Sequence, residues 1–125
     1  MSIDTLPMAW EFKSDRPIYT QLLEKIQLMI ISGKYKPGDK LPSVREFASD
    51  AAVNPNTMQR AMAELERIGL VYSNRTSGRM ITDDLEKIKE IKKELAKESV
   101  NEFMQNMGRL GYSEDDIIEL IQKYK

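Results

Sequence analysis

The 125-residue chain contains no cysteine and no histidine. Without cysteine there is no disulfide framework and no thiolate site, so neither oxidative export nor cysteine-based metal binding has support. The absence of histidine removes the commonest metal ligand and the commonest general base near neutral pH. We therefore expect no metal site and no cofactor, and hydrolytic or metal-dependent catalysis is disfavoured.

The chain also lacks any apolar run that approaches the roughly 20 residues of a membrane-spanning helix. Its opening residues, MSIDTLPMAW, lack the basic-then-apolar order of a secretory signal. Its hydrophobic content of 41% is adequate for one packed domain with an appendage. We expect a folded cytoplasmic protein without a membrane partner.

Net charge is low, at -1, but the charge is unevenly distributed. Residues 34–82 carry 8 Lys/Arg against 5 Asp/Glu, whereas residues 83–125 carry 8 against 11. A basic segment is therefore followed by an acidic one. This difference is weak support for nucleic-acid binding, because net charge governs non-specific attraction and not fold.

Three helices are predicted in the first part of the chain. The first begins near Pro17, ends at Gly33 and has one apolar stripe, which comprises Ile18, Leu22, Leu23, Ile26, Met29 and Ile30. Ser43 is expected to cap a short second helix. Asn54 is expected to cap the third, which ends at Gly69 and turns Met58, Ala61, Met62 and Leu65 inward.

A hairpin is predicted to follow, because LVYS and RMIT favour strands and NRTSG between them suits a turn. This order of elements is that of a winged helix-turn-helix. The fold class is thus mainly α with a small β-hairpin. Residues 1–15, with Trp10 and Phe12, are interpreted as a loose arm that packs on the domain.

The chain from Asp83 predicts a long helix as far as Gly108 and, after a cap at Ser113, a short last helix. We divide the chain into a domain of residues 1–82 and a tail of residues 83–125. Because about 40 residues seldom form a stable core alone, we expect the tail to dimerise. The dimerisation residues are Leu85, Ile88, Leu95, Phe103, Met107, Leu110, Ile117, Leu120 and Ile121. A solvated linker helix is the alternative.

The outward face of the third helix is short and polar, with Asn56, Arg60, Ala63 and Arg67 outward, Gln59 on one flank and Thr57 near the start. Arginine pairs with guanine edges, and asparagine and glutamine pair with adenine. Residues at the start of such a helix are the ones presented to bases. The alternative is an ordinary solvated helix face.

Further contacts are expected at the DNA backbone. Ser43 and Arg45, at the start of the second helix, are placed to bind phosphates, unless Arg45 instead pairs with Glu46 or Asp50. In the hairpin, Arg75 and Arg79 flank a Thr-Ser-Gly tip that contains Gly78. They are interpreted as groove contacts or, alternatively, as ordinary loop arginines.

These residues make the sequence resemble the GntR family of bacterial transcription regulators, particularly its short YtrA-like members. The stretch PGDKLPSVREFASDAAVNPNTMQRAMAELERIGLVYSNRTSGRMI resembles the family's DNA-binding domain, and PIYTQLLEKIQLMIISG resembles the helix before it, which together cover about residues 16–82. The resemblance implies that Arg45, Thr57, Gln59, Arg60 and the hairpin around Gly78 contact operator DNA.

The chain departs from the family pattern at three positions. Many members carry Arg where this chain has Pro55 and Gln59, so base preference is not transferred, and Thr76 replaces the first glycine of the usual Gly-x-Gly. Residues 83–125 are too few for the large effector domains of other subfamilies. They resemble instead the YtrA-type dimerisation element.

We therefore predict a dimeric DNA-binding regulator, most simply a repressor, on an inverted-repeat operator. The alternative is a winged-helix module that binds protein and not DNA. The residues that favour DNA are the retained Arg45, Thr57, Gln59, Arg60 and Gly78. An enzyme is not predicted, because no catalytic constellation can be assembled and Asp115 and Asp116 are better explained as a helix start. Whether a small-molecule effector exists is left open.

Overall fold

The computed structural model describes residues 10–125 of the chain, and residues 1–9 of the predicted arm lie outside the described residues. The described part contains five helices and two strands in the predicted order, which confirms the mainly α fold class with one hairpin. The elements are α1 (Ile18–Ile31), α2 (Val44–Ala51), α3 (Pro55–Arg67), β1 (Val71–Asn74), β2 (Gly78–Ile81), α4 (Leu85–Arg109) and α5 (Glu114–Tyr124).

Helix starts follow the predicted caps. The Ser43 hydroxyl accepts from the Glu46 amide at 3.1 Å, and the Glu46 carboxylate accepts from the Ser43 amide, which completes a capping box. The Asn54 side chain caps α3, and Ser113 forms a second capping box at α5. All three predicted caps are confirmed, and each supplies a partner for amides that a helix start leaves unpaired.

The chain divides into two compact units, one up to Ile88 and one from Lys89. In the first unit α1 packs against α3, and α2 packs against α3. The largest fully buried side chains of this core are Leu22, Ile26, Leu41, Met58, Met62, Leu65, Leu70 and Ile81. The predicted inward stripe of α3 is confirmed, whereas Ile18 at the start of α1 is 37% exposed.

The hairpin is antiparallel, with Val71 opposite Ile81 and Asn74 opposite Gly78. Both strands lie one residue away from the segments predicted for them. A third stretch, residues 38–41, runs beside β2: the Leu41 amide donates to the Arg79 carbonyl at 2.9 Å, and the Ile81 amide donates to the carbonyl of residue 39 at 2.8 Å. The hairpin is therefore tied to the segment that leads into α2.

The second unit contains α5 and the part of α4 from Lys89 onwards. Ile117 on α5 is its buried apolar side chain, at 2% exposure. No residue of α4 is buried, although α4 has 25 residues and lies close to its predicted bounds. The predicted domain boundary after Thr82 stays a prediction.

Candidate nucleic-acid interface

Helices α2 and α3 are joined by a turn of three residues, Ala52, Val53 and Asn54. Ala52 adopts the left-handed conformation, with φ 54° and ψ 47°, and its amide closes the end of α2. The Asn54 side chain then accepts from the Asn56 amide at 2.8 Å. One helix thus ends and the next begins within three residues, which is the geometry of a helix-turn-helix.

The outer face of α3 is exposed, as the sequence predicts. Asn56, Gln59 and Arg60 are exposed and Thr57 is half-buried, while Met58 and Met62 on the opposite side are fully buried. Arg67, further along the same face, is bonded to Glu64 through its guanidinium. The first half of the face therefore carries polar groups available to a partner, and the second half carries an arginine that already has one.

Arg60 has a neighbour that the sequence did not predict. Its guanidinium carbon lies 3.6 Å from the centroid of the Tyr19 ring, which belongs to α1. A cation over an aromatic face at this distance is an attractive cation–π contact. Helical periodicity places Arg60 outward but carries no information about which residue of another helix lies beside it.

Arg45 is exposed on α2, and no carboxylate among residues 10–125 lies within ion-pair distance of it. The two carboxylates that could have paired with it are used otherwise: Glu46 completes the capping box, and Asp50 accepts from the Trp10 indole at 2.7 Å. The alternative of a surface ion pair is not realised in this part of the chain. Arg45 is thus a free cation beside the start of α2.

Trp10 belongs to the described part of the predicted arm. Its ring lies edge-on to Phe47 on α2, with centroids 5.9 Å apart, and Tyr35 contacts Phe47 edge-on from another direction. Burial, together with the charges of Asp50 and Glu46, raises the pKa of Tyr35. The described part of the arm packs on the domain through Trp10, which contacts α2.

A shallow cleft of about 260 Å³ separates the start of α2 from the hairpin. Its lining residues are Pro42, Ser43, Val44, Ser73, Asn74, Gly78 and Arg79. Ser43 and Gly78, which the sequence assigns to the same surface, therefore lie on opposite walls of one cleft.

The turn of the hairpin is ordered by Asn74, whose side chain accepts from both the amide and the hydroxyl of Thr76 at 3.0 Å. Gly78 follows with φ +83°, a conformation that favours glycine. Arg75 is exposed at this turn. The tip thus presents one exposed arginine on a defined turn even though the first glycine of the usual pair is absent.

Arg79 is in a different environment. Its guanidinium lies 2.8 Å from the Glu66 carboxylate of α3, and its side chain is only 19% exposed. The Ser73 hydroxyl donates to the same Glu66 oxygen. Glu66 therefore joins both strands to α3, a role that the sequence did not reveal because the three residues are separated along the chain.

The charge state of Glu66 follows from these contacts. The hydrogen bond from Ser73 is the largest influence and lowers the pKa of Glu66, burial acts against it, and the bond and charge of Arg79 lower the pKa further. Glu66 is therefore ionised over a wider pH range than an ordinary glutamate.

The residues predicted to dimerise lie in both compact units. Within α4, Ile88, Leu95 and Met107 are half-buried, whereas Leu85 and Phe103 are exposed, as is Leu110 directly after the helix. On α5, Ile117 is buried, Leu120 is half-buried and Ile121 is 50% exposed. Most of the predicted seam thus has apolar surface that its own chain leaves uncovered.

Other kinds of site are not supported. No group of three or more metal-ligand carboxylates occurs in the described part of the chain. None of its helices is long and apolar enough to cross a membrane.

A helix-turn-helix whose second helix is exposed, followed by an antiparallel hairpin fixed to that helix, defines a winged helix-turn-helix domain. In this class α3 is the recognition helix, and the hairpin with its turn, residues 71–81, is the wing. The family model for bacterial regulatory proteins, gntR family, matches residues 18–81. The chain belongs to the GntR family and is a DNA-binding transcription regulator. This family consists of regulators and not of enzymes.

Two relatives come from Bacillus subtilis (strain 168). The HTH-type transcriptional regulator YhcF is 39% identical over 91% of this chain and 94% of its own length. The HTH-type transcriptional repressor YtrA is 43% identical over 58% of this chain and 55% of its own length. The predicted resemblance to short YtrA-like members is confirmed.

Solved structures of regulators share the fold of this chain. A GntR family transcriptional regulator from Listeria monocytogenes has a TM-score of 0.84 and 38% identity, with 91% of this chain and 100% of that chain covered. The DNA-binding domain of AraR in complex with operator ORX1 has a TM-score of 0.54 and 28% identity, with 58% and 93% covered.

Proposed function

We propose that the protein is a homodimeric repressor of the cytoplasm that reads an inverted-repeat operator with α3. The observation that carries the proposal is the exposed polar first half of α3. The opposite side of this helix, with Met58 and Met62, is buried in the core, and the helix begins at a capped three-residue turn. Regulatory domains of this class insert that part of the helix into the major groove.

Base contacts are assigned to the exposed residues of that half. Arg60 donates two parallel hydrogen bonds to a guanine edge, whereas Asn56 and Gln59 suit adenine. Thr57, which is half-buried, contacts a base or the adjoining phosphate through its hydroxyl. These contacts supply discrimination between sequences, because they reach groups that differ from one base pair to another.

Phosphate contacts are assigned to the surface around the cleft. Arg45 has no carboxylate partner in the described chain, so its charge is available to a phosphate. The start of α2 beside it offers the positive end of the helix dipole and those first-turn amides that the Ser43–Glu46 capping box does not use. At the wing we assign the contact with the DNA phosphate backbone to Arg75. We assign to Gly78 the position where the protein main chain comes closest to the DNA. Arg79 serves mainly as an anchor, because its Nε donates to Glu66 and its side chain is largely buried.

We divide the chain into a DNA-binding domain of residues 1–82 and a tail of residues 83–125, and we assign dimerisation to the tail. The exposed apolar side chains Phe103, Leu110 and Ile121 support this assignment, because a second copy would remove them from water. A twofold dimer presents two recognition helices and therefore calls for two inverted half-sites about one helical turn apart, or a multiple of that spacing.

Repression is the proposed direction of regulation, on the ground that the relative YtrA is described as a repressor. A symmetric dimer on an operator acts most simply by excluding polymerase from the same DNA.

The test compares two arginines of the same helix. A duplex is first selected from a randomised library with the full-length protein, and its affinity is then measured by gel shift. Arg60→Ala is expected to weaken binding by about ten- to hundredfold, the loss of one bidentate base contact. Arg67→Ala combined with Glu64→Gln is the matched control and is expected to stay within about twofold, because Arg67 is 70% exposed and bonded to Glu64 on its own helix, and the second change leaves no Glu64 carboxylate to pair with Arg60. Unchanged affinity of a correctly folded Arg60→Ala variant would remove Arg60 from the recognition surface.

A further inference from the structure

Tyr19 and Arg60 bring a side chain of the first helix to the recognition surface. Tyr19 is half-buried near the start of α1, and Arg60 is exposed on α3, which packs against α1. The guanidinium carbon is 3.6 Å from the ring centroid, so the two groups are in direct contact. Among residues 10–125 Arg60 makes no hydrogen bond and no ion pair within 4 Å. The Glu64 carboxylate is near enough to interact with its charge, but the group in direct contact with the guanidinium is the Tyr19 ring.

The contact matters because an arginine side chain has many rotamers, and binding a base edge requires one of them. Ordering such a side chain costs conformational entropy. A ring under the guanidinium restricts these rotamers before DNA arrives. It also leaves the N–H donors free, because they lie in the guanidinium plane and an aromatic face accepts none of them in the way a carboxylate does.

Arg60 contacts Tyr19 although a carboxylate, Glu64, is available on the same helix. A glutamate four residues after an arginine on a helix is a natural ion-pair partner, so Glu64 could have bound Arg60. Instead Glu64 is bonded to Arg67, three residues further on. Arg67 thus pairs with the carboxylate that helical spacing offers to Arg60, and the N–H donors of Arg60 are not used within the helix.

We propose that Tyr19 is a positioning residue for Arg60, which it holds over its ring in an orientation ready to read a base edge. The inference rests on the proposed function of Arg60. Tyr19 itself makes no contact with a base in this proposal. Its role is to lower the cost of ordering the arginine and thereby to sharpen the discrimination that Arg60 provides.

The test uses the full-length protein, the selected duplex and a duplex of unrelated sequence, with Tyr19→Leu and Tyr19→Phe. Tyr19→Leu removes the aromatic face and is expected to weaken binding to the selected duplex about fivefold, with binding to the unrelated duplex unchanged. Tyr19→Phe keeps the ring and is expected to bind within about twofold of the original protein. Thermal unfolding of both variants shows whether α1 still packs.

A double-mutant cycle separates positioning from a general structural role. In an Arg60→Ala background Tyr19→Leu is expected to have no further effect, because the group that it positions is gone. An equal loss of affinity in both backgrounds would overturn the proposal. So would a Tyr19→Leu variant that binds as well as the original protein. A Tyr19→Leu variant that binds more tightly would also overturn it, because the ring would then hold Arg60 away from DNA. If Arg60→Ala alone retains full discrimination, the assigned function of Arg60 fails as well; if Arg60→Ala loses it and Tyr19→Leu does not, only the positioning role fails.

Discussion

Replacement of Glu66 by Gln removes the carboxylate that Ser73 and Arg79 share. Glutamine keeps the shape of the side chain and one acceptor oxygen, but it cannot form an ion pair with Arg79 and its oxygen is a weaker acceptor. The strands β1 and β2 would then lose their charged anchor on α3. We expect the folded state to be destabilised and the wing to be less firmly held.

The size of the effect follows from the exposure of the pair. A hydrogen bond to a charged group contributes about 1.5–3 kcal/mol when water is excluded. The Arg79 and Glu66 side chains are 19% and 32% exposed, so solvent screens part of this interaction. We expect a loss of about 1 kcal/mol, which corresponds to a fall in Tm of about 5 °C for a domain of this size.

Acid should abolish the difference between the two proteins. The folded-state pKa of Glu66 lies below its ordinary value of 4.5, chiefly because of the hydrogen bond from Ser73. A carboxylate with a lowered pKa contributes stability that is fully present above the ordinary value and is lost as pH falls through the folded-state value. Urea unfolding at neutral pH and at a series of acidic pH values measures this convergence.

The matched control is Glu64→Gln, which removes the same charge from the same helix. Glu64 also bonds an arginine, but Arg67 is 70% exposed and both residues belong to α3. We expect a clearly smaller fall in Tm than for Glu66→Gln. Equal falls for the two variants, or a difference that persists unchanged in acid, would refute the reasoning that Glu66 anchors the wing.

Two further predictions concern the DNA complex. Arg45→Ala should weaken binding to selected and unrelated duplexes alike and reduce the slope of log affinity against log salt by about one, as expected for one lost phosphate contact; an unchanged salt slope would count against that contact. A chain that ends at Thr82, the last residue before the proposed dimerisation tail, should sediment as a monomer and bind a two-half-site duplex at least about a hundredfold more weakly than the full chain. A monomeric full-length protein, or a shortened one that still dimerises, would show that the tail is not the dimerisation element.

Much of the fold could be predicted because its determinants are local. Ser43, Asn54 and Ser113 cap helices through amides only two or three residues away, so each cap is visible in a short stretch of sequence. Helical periodicity likewise separates the buried Met58 and Met62 from the exposed face of α3. The outward direction of the candidate base-contacting residues follows from the same periodicity.

The contacts that could not be predicted are those between distant elements. Neither the pairing of Glu66 with Ser73 and Arg79 nor the contact of Tyr19 with Arg60 has a signature in sequence spacing, since each depends on how elements pack. Ala52 is a different case. Left-handed backbone favours glycine or asparagine, so an alanine there gives no warning of the sharp end of α2.

The pairing of residues 38–41 with β2 has a consequence for the order of folding. The bond between the carbonyl of residue 39 and the Ile81 amide joins positions 42 apart in the chain, whereas the contacts within α2, the turn and α3 are short-range. Closing so long a loop carries an entropic cost that is most easily met after the intervening helices have formed. We therefore expect the strands to pair after α2 and α3 have formed, so that a domain with a complete wing already has a folded recognition helix.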